Sequence, residues 1–215
     1  LYNWVNISDT GNEVWISWDD DYWWITLDHP FTFYGEEYAE DHNIYIVDNG
    51  YVSFEEVDYG NLAQTCNPAD GEPPNVLAGF CVDLDPTSGK IYYEHTTAYN
   101  GHDTLIIQYD QVTYKATGDK ITFQIILDFD DNAIIYQYKT LPSSTPTAPT
   151  VGIVDGDNYL IYCRSTTGCP PQENLAVRFS LIPRPRLEVD IIPSTPNPDW
   201  GETFTYTVVL KNIGT

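Results

Sequence analysis

The feature that most constrains the fold is the spacing of apolar residues, which alternate with polar residues at every second position along most of the chain. No segment shows a sustained repeat of 3.6 residues, so helices are not expected. A period of two places apolar side chains on one face of a β-strand. The pattern predicts strands at Asn43–Val47, Tyr51–Phe54, Lys90–His95, Thr104–Tyr114, Lys120–Phe129, Ala133–Lys139, Pro149–Val154, Tyr159–Cys163 and Leu175–Leu181.

Short polar turn sequences separate these strands. Gly and Asn tolerate the positive φ angles that tight hairpin turns require. Such turns are predicted at Asp48-Asn49-Gly50, Thr87-Ser88-Gly89, Asn100-Gly101, Thr117-Gly118-Asp119, Asp130-Asp131-Asn132 and Asp155-Gly156-Asp157. Short strands joined in this way are typical of antiparallel sheets. The predicted fold class is therefore all-β, an antiparallel β-sandwich or jelly-roll-like domain.

The chain is strongly acidic, with 32 Asp and Glu against 9 Lys and Arg and a formal net charge of −23. Nucleic acid and anionic membrane surfaces are repelled by this charge, whereas divalent cations are attracted. No apolar run approaches the ~20 residues that a membrane-spanning helix needs, so no membrane insertion is predicted. Calcium prefers carboxylate ligands. Its candidate sites are Asp19, Asp20 and Asp21, the pair Asp83 and Asp85, and the group Asp128, Asp130 and Asp131. The alternative for each is an Asp that bonds backbone amides of its own turn.

Cysteine usage indicates an oxidising, extracellular environment. The four cysteines lack the CxxC spacing of metal sites. Pairing between sequence neighbours, Cys66 with Cys81 and Cys163 with Cys169, is the preferred interpretation, although other connectivities are possible. Buried free thiols in a cytosolic protein are the alternative. The triplet Asn6-Ile7-Ser8 predicts a glycosylated asparagine at Asn6.

Several stretches carry a family resemblance through their order and spacing. They are Phe31-Thr-Phe-Tyr-Gly35, Ile44 to Phe54, Leu77 to Asp85, Gly89 to Tyr93, Ile121 to Leu127, Ile134 to Tyr138 and Val151 to Ile153. Through them, residues 27–181 resemble a secreted β-sandwich module of bacterial and archaeal surface proteins, related to the nidogen-like extracellular domain. The resemblance implies binding or scaffolding at the cell surface, since such modules have no catalytic residues of their own. It does not include the Trp-rich start of the chain.

Residues 187–215 resemble the opening strand pair of an immunoglobulin-like repeat of microbial surface proteins. The Pro/Arg linker 183–186 separates them from an acidic sandwich domain over residues 1–182, because two prolines forbid a continuing central strand. The second strand of the pair would present one apolar face that needs a partner. A continuation of the parent protein, packing on the first domain, or donation to a neighbouring subunit would cover it. The residues of that face are Phe204, Tyr206, Val208 and Leu210.

Two interpretations of the Trp-rich start remain open. The rings of Trp15, Trp18, Trp23 and Trp24 could fill the core or a subunit interface, or they could stack on sugar rings beside the neighbouring carboxylates. Buried rings would favour scaffolding, and exposed rings would favour sugar binding.

No enzyme is expected, because the sequence contains no HExxH motif, GxSxG elbow or phosphate-binding glycine loop. The predicted function is that of an extracellular structural or adhesive module. It would be a subunit or domain of a surface filament, sheath or adhesin, paired through β-strands with copies of itself or with other surface proteins. The alternatives are a carbohydrate-binding module and a non-catalytic appendage of a secreted hydrolase.

Overall fold

The computed structural model describes residues 2–16, 18–58, 66, 75–145, 148–156, 158–164 and 171–180, and the backbone of 187–193 and 206–212. The chain divides into two units, Leu1–Ser180 and Leu181–Thr215. In the first unit, two large antiparallel sheets contain most of the described residues. The all-β, antiparallel prediction is therefore confirmed.

The first sheet has seven strands, which are numbered here in chain order. Its central strands are the longest of the fold, because three neighbouring hairpins pair over most of their length. The spatial order is β1 (Asn12–Glu13), β9 (Lys90–Thr96), β10 (Thr104–Tyr114), β11 (Lys120–Asp128), β12 (Ala133–Thr140) and β15 (Ala176–Ser180), with β8 (Leu84–Asp85) also paired to β10.

The second sheet has six strands. Their order is β14 (Asn158–Cys163), β13 (Thr150–Asp155), β7 (Val76–Cys81), β6 (Tyr51–Ser53), β5 (Asn43–Val47) and β2 (Tyr22–Thr26). A small separate hairpin joins β3 (Phe31–Phe33) to β4 (Glu36–Tyr38), and a short 3-10 helix covers Pro86–Ser88. Strand β2 is thus an edge strand of the second sheet, which places the Trp-rich segment at the side of the sandwich.

The main core lies between the two sheets. It contains inward side chains of both, including Ile107 and Phe123 from the first sheet and Ile46 and Leu77 from the second. Three buried tyrosines of the first sheet also donate hydrogen bonds across the core to backbone carbonyls of the second. Tyr109 Oη bonds Val47 O (2.6 Å) and Tyr51 O (3.1 Å), Tyr136 Oη bonds Gly152 O (2.8 Å), and Tyr138 Oη bonds Gly79 O (2.7 Å). These bonds fix the relative position of the layers as well as satisfying the buried hydroxyls.

The outer face of the first sheet is covered by the N-terminal segment, which is held by a row of three glutamines. Gln108, Gln124 and Gln137 lie opposite one another on β10, β11 and β12 and are fully buried. Gln124 Nε2 donates to Gln108 Oε1 (2.8 Å) and to Val5 O (2.6 Å), and Gln137 Nε2 donates to Asn3 O (3.0 Å). The glutamine side chains therefore make the hydrogen bonds to this segment that the backbone of a neighbouring strand would otherwise make.

The outer face of the second sheet carries its own small core around a disulfide. Cys66 and Cys81 are bonded to each other and pack with Val57, Val76 and Ala78. Central strand β7 is consequently buried on both faces, with all six residues buried. Such a strand appears in the sequence as a continuous apolar run and not as an alternation, which is why the period of two failed to predict it.

For the other predicted strands, the boundaries expected from the alternation agree well with those in the structure. The predicted Asn43–Val47 and Thr104–Tyr114 coincide with β5 and β10. The predicted hairpin turn at Thr87-Ser88-Gly89 is wrong, because these residues form the 3-10 helix and its C-cap, while β8 pairs with β10 instead of β9. The turn at Asp48-Asn49-Gly50 does join β5 to β6, and Gly50 has a φ of +82°, where a Cβ would lie 2.1 Å from Phe80 O.

In the second unit, β16 (Leu187–Pro193) and β17 (Tyr206–Asn212) form an antiparallel pair. Their register sets Leu187 opposite Asn212 and Pro193 opposite Tyr206. Phe204, the first residue of the predicted apolar face, lies outside the described residues. Strand donation by Tyr206, Val208 and Leu210 stays a prediction.

Candidate functional site

Four tryptophans in the segment around strands β1 and β2 are exposed. The exposed fractions are 72% for Trp15, 68% for Trp18, 52% for Trp24 and 38% for Trp23. The interpretation that these rings fill the core of the domain is therefore wrong. The physical reason lies in their position: Trp23 and Trp24 belong to edge strand β2, and Trp15 and Trp18 lie in the connection between the two sheets. Several large exposed aromatic side chains in one segment are typical of interaction sites.

The Trp24 cleft opens where the edge strands of the two sheets meet. It has a volume of about 310 Å³. Trp24 and Tyr93 provide aromatic surface, and several polar groups converge beside them. The lining residues are Asn12, Trp24, Ile25, Thr26, Asp28, Tyr93, His95 and Leu105. A cleft with aromatic walls and a few polar groups can hold an amphipathic small ligand.

A second cleft, here the Trp15 cleft, lies on the other side of strand β1 and measures about 280 Å³. It combines the Trp15 ring with an ion pair between Lys90 and Glu13. Its lining residues are Glu13, Val14, Trp15, Ile16, Pro86, Thr87, Gly89, Lys90 and Ile91. Strand β1 contributes Asn12 to one cleft and Glu13 to the other. The two clefts, one with Trp15 and the other with Trp24, therefore adjoin neighbouring residues of β1, and together they are called the Trp edge.

The acidic cluster lies near the start of the second sheet. Oxygen atoms of Asp19, Asp20 and Asp83 lie within 4.8 Å of one another, as two of the predicted calcium groups come together. The ammonium group of Lys115 lies 2.7 Å from Asp19 Oδ2 and 3.1 Å from Asp83 Oδ1. Hydrogen bonding to Asp19 is the main reason that the pKa of Lys115 is raised. The chain itself thus supplies one cation to this cluster, and calcium binding there stays a prediction.

Asp48 is a member of this region that sequence reasoning missed. It is fully buried, and its Oδ2 accepts a hydrogen bond from Asp21 N (3.1 Å). Burial, reinforced by the charges of Asp20 and Asp19, raises its pKa to about 8. The only signal in the sequence is its place just before Asn49-Gly50, a turn that brings it beneath the Asp19–Asp21 segment.

Two other predicted calcium ligands, Asp85 and Asp21, bond backbone amides of their own turns. Asp85 caps the 3-10 helix by accepting a hydrogen bond from Thr87 N (2.8 Å), and its pKa is lowered mainly by the Thr87 side chain. Asp21 bonds the amide of Tyr22 (2.8 Å). Asp85 and Asp21 therefore match the alternative interpretation, in which an aspartate bonds backbone amides of its own turn.

The carboxylates of Asp128, Asp130 and Asp131 have three different main partners, although Asp128 and Asp131 both lie near His102. Asp128 is buried and lies 2.9 Å from His102 Nδ1, and this hydrogen bond is the main reason that the pKa of His102 is raised. Asp131 pairs with Arg178 (2.7 Å), and Asp130 accepts from Asp103 N (3.0 Å).

A histidine–aspartate cluster adjoins the Trp24 cleft and has no counterpart among the sequence predictions. His29 Nε2 lies 3.0 Å from Asp103 Oδ2, and His95 Nε2 lies 3.0 Å from Asp103 Oδ1. His95 Nδ1 faces Asp28 Oδ2 at 2.6 Å. These residues are far apart in sequence, so no spacing motif reveals them. The hairpin of β9 and β10 was predictable, and it alone brings His95 close to Asp103.

The cysteine predictions are supported within the described residues. Cys66 and Cys81 are paired, and Cys163 is disulfide-bonded, while its predicted partner Cys169 lies outside the described residues. Asn6 is exposed, with Nδ2 donating to Ser8 Oγ (2.9 Å) and Oδ1 accepting from Gln108 Nε2 (3.1 Å). Its glycosylation stays a prediction.

No helix among the described residues is long and apolar enough to cross a membrane. The disulfide, the two antiparallel sheets and the exposed aromatic edge define a β-sandwich module of extracellular type. The family model described as NIDO related matches residues 2–180, and the chain belongs to this family. The family therefore includes the Trp-rich start, which the sequence resemblance had left out. No curated protein and no solved structure gives a significant match.

Proposed function

We propose that this protein is a non-catalytic, extracellular adhesive module that binds neutral carbohydrate through the Trp edge. The observation that carries the proposal is the exposure of Trp15 and Trp24 in two clefts that also contain hydrogen-bonding groups. Sugars present apolar ring faces and hydroxyl groups together, so an aromatic face with nearby polar side chains suits them. The formal net charge of −23 favours neutral over anionic carbohydrate.

The Trp24 cleft is the better-defined half of this surface. A sugar ring stacked on Trp24 would have Asn12, Thr26 and Asp28 within reach for hydrogen bonds, because all four residues line the same cleft. The Trp15 cleft would take a second sugar unit along the edge, with Glu13 and Lys90 as its polar groups. Two adjacent subsites favour a chain of sugars over a monosaccharide.

Binding to an array of immobilised neutral oligosaccharides tests this function. The wild-type protein is expected to bind a subset of them, and the Trp24→Ala variant is expected to lose about 2 kcal/mol, roughly 30-fold in affinity, as is usual for a central aromatic contact. The Trp15→Ala variant should weaken binding to longer oligosaccharides more than to short ones.

The matched control is the double variant Tyr159→Ala and Tyr162→Ala. These two tyrosines are also exposed, but they belong to β14 at the opposite edge of the second sheet. This variant should bind as the wild-type protein does. Equal losses in the tyrosine and tryptophan variants would show that the aromatic surface acts non-specifically and would contradict the assignment of the Trp edge.

A second candidate function is a subunit of a surface filament or sheath, assembled by strand pairing. The observation that favours it is the β16–β17 pair, which forms a sheet of only two strands among the described residues. An isolated strand pair is marginally stable in water, so an added strand from a neighbour would stabilise it. Light scattering across a concentration series tests this function: assembly would favour it, and a monomer at all concentrations would exclude self-pairing of this chain.

A further inference from the structure

We propose that His29, His95 and Asp103 bind a divalent transition-metal ion, with zinc the best fit, at the border of the Trp24 cleft. Their ligand atoms lie within 4.8 Å of one another, and each oxygen of Asp103 faces one imidazole at 3.0 Å. Two ligand atoms around a tetrahedral zinc ion are roughly 3.3 Å apart, given bonds of about 2.0–2.1 Å. The three groups therefore need only a small outward movement to enclose the ion.

The contacts of His95 favour a bound metal ion over a simple histidine–aspartate ion pair. Asp28 Oδ2 lies 2.6 Å from His95 Nδ1, so that a metal ion bound at Nε2 would leave the Nδ1–H to donate to Asp28. Metal-binding histidines in proteins usually donate their other ring N–H to a carboxylate in this way. His95 Nε2 is buried from solvent and has no hydrogen bond of acceptable geometry among the described residues, despite its short distance to Asp103 Oδ1. A bound cation would satisfy both atoms.

The cluster is also held in place from several directions. Phe129 packs against both imidazoles, with ring centroids 5.4 Å from each. The backbone of Asp103 is fixed at both ends, since its N–H donates to Asp130 Oδ2 (3.0 Å) and its carbonyl accepts from Phe129 N (3.0 Å). Two imidazoles and one carboxylate form a ligand set that suits zinc better than calcium, which prefers oxygen ligands alone. The fourth coordination position would face solvent, because His29 and Asp103 are partly exposed.

Isothermal titration of the metal-free protein with zinc chloride tests the site. Excess calcium should be present, so that the many exposed carboxylates do not bind zinc non-specifically. The expected result is about one zinc ion per chain, loss of this binding in His29→Ala and in His95→Ala, and a roughly 10–100-fold weaker affinity in Asp28→Asn. Cobalt in place of zinc should give the visible absorption of a tetrahedral site in the wild-type protein, and His29→Ala and His95→Ala should lack this absorption.

His102→Ala is the matched control, because His102 forms a separate pair with Asp128 and should not affect zinc binding. Since His29 is largely exposed, its variant should retain the wild-type circular dichroism spectrum. Absence of stoichiometric zinc binding would overturn the proposal and leave the cluster as imidazolium–carboxylate pairs. The proposal would also be overturned if His102→Ala removed zinc binding. The same holds if both His29→Ala and His95→Ala left zinc binding unchanged. Zinc is measured here without carbohydrate, so the outcome is independent of the proposed sugar binding.

Discussion

Replacing Asp48 with asparagine is expected to make the protein more stable than the wild type by an amount that grows from pH 5 to pH 8. Asp48 is fully buried, and burial raises its pKa from 3.8 to about 8. The charges of Asp20 and Asp19 contribute to this rise, and Lys115 pairs with Asp19 and Asp83 instead of with Asp48. The folded protein must therefore either hold a proton on Asp48 or bury its charge.

The direction of the pH effect follows from proton linkage. Between pH 4 and pH 8 the unfolded chain has released the Asp48 proton, whereas the folded protein retains it. The stability that Asp48 contributes in acid is thus lost as the pH rises toward the folded-state pKa. The loss is about 1.4 kcal/mol per pH unit, or on the order of 4 kcal/mol from pH 5 to pH 8. The side-chain amide of the Asp48→Asn variant can still accept the hydrogen bond from Asp21 N, and it carries no charge.

Urea unfolding of both proteins at pH 5, 6, 7 and 8, in the presence of a chelator, measures this effect. The difference in free energy of unfolding between Asp48→Asn and wild type should grow steadily with pH. Asp9→Asn changes an exposed acid ahead of strand β1 and serves as the control for the general loss of negative charge. Parallel stability curves for wild type and Asp48→Asn would show that Asp48 is not the source of the pH dependence.

Removal of the Cys66–Cys81 disulfide is expected to lower the free energy of unfolding by about 3 kcal/mol, because the bond closes a loop of about 15 residues in the unfolded chain. The double variant Cys66→Ala and Cys81→Ala keeps small apolar groups at two buried positions, so packing changes little. Thermal unfolding should show a lower midpoint in the variant than in the oxidised wild-type protein.

A reductant distinguishes the effect of the disulfide from that of the side chains. It should lower the midpoint of the wild-type protein toward that of the variant. In the double variant the reductant should lower the midpoint only by breaking the disulfide bond of Cys163. Equal midpoints for the oxidised wild-type protein and the double variant would show that the bond does not stabilise the fold.

The sequence predicted most of the longer strands, including β11 and β13, whose residues are almost all buried, and it missed β7 and the shorter strands β1 to β4 and β8. Thr104–Tyr114 carries a clear alternation and good turn residues on both sides, and its limits were correct. Strand β7 shows no alternation, since disulfide packing on one face and the main core on the other bury all of its residues. Residue propensities and apolar periodicity do not show whether a second layer of residues covers the other face of a sheet. That layer comes from parts of the chain that are distant in sequence.

The candidate site was predictable in composition but not in geometry. The tryptophans and the acidic segment could be named from the sequence, yet their exposure depends on β2 being an edge strand. The cluster of His29, His95 and Asp103 depends on three separate parts of the chain meeting at the side of the sandwich. Asp48 was missed because its burial follows from the Asp19–Asp21 segment lying above the turn that it begins.

The central claim, that the Trp edge is the binding surface, is tested most directly by the indole N–H signals of the tryptophans in two-dimensional NMR spectra. These signals are followed while a neutral oligosaccharide that binds on the array is titrated into the ¹⁵N-labelled protein. We expect the signals of Trp15 and Trp24 to shift with the ligand, and the signal of Trp4, a partly buried ring over which Lys139 lies, to stay in place. Saturable binding that leaves the Trp15 and Trp24 signals unmoved would place the ligand elsewhere and contradict the proposed function.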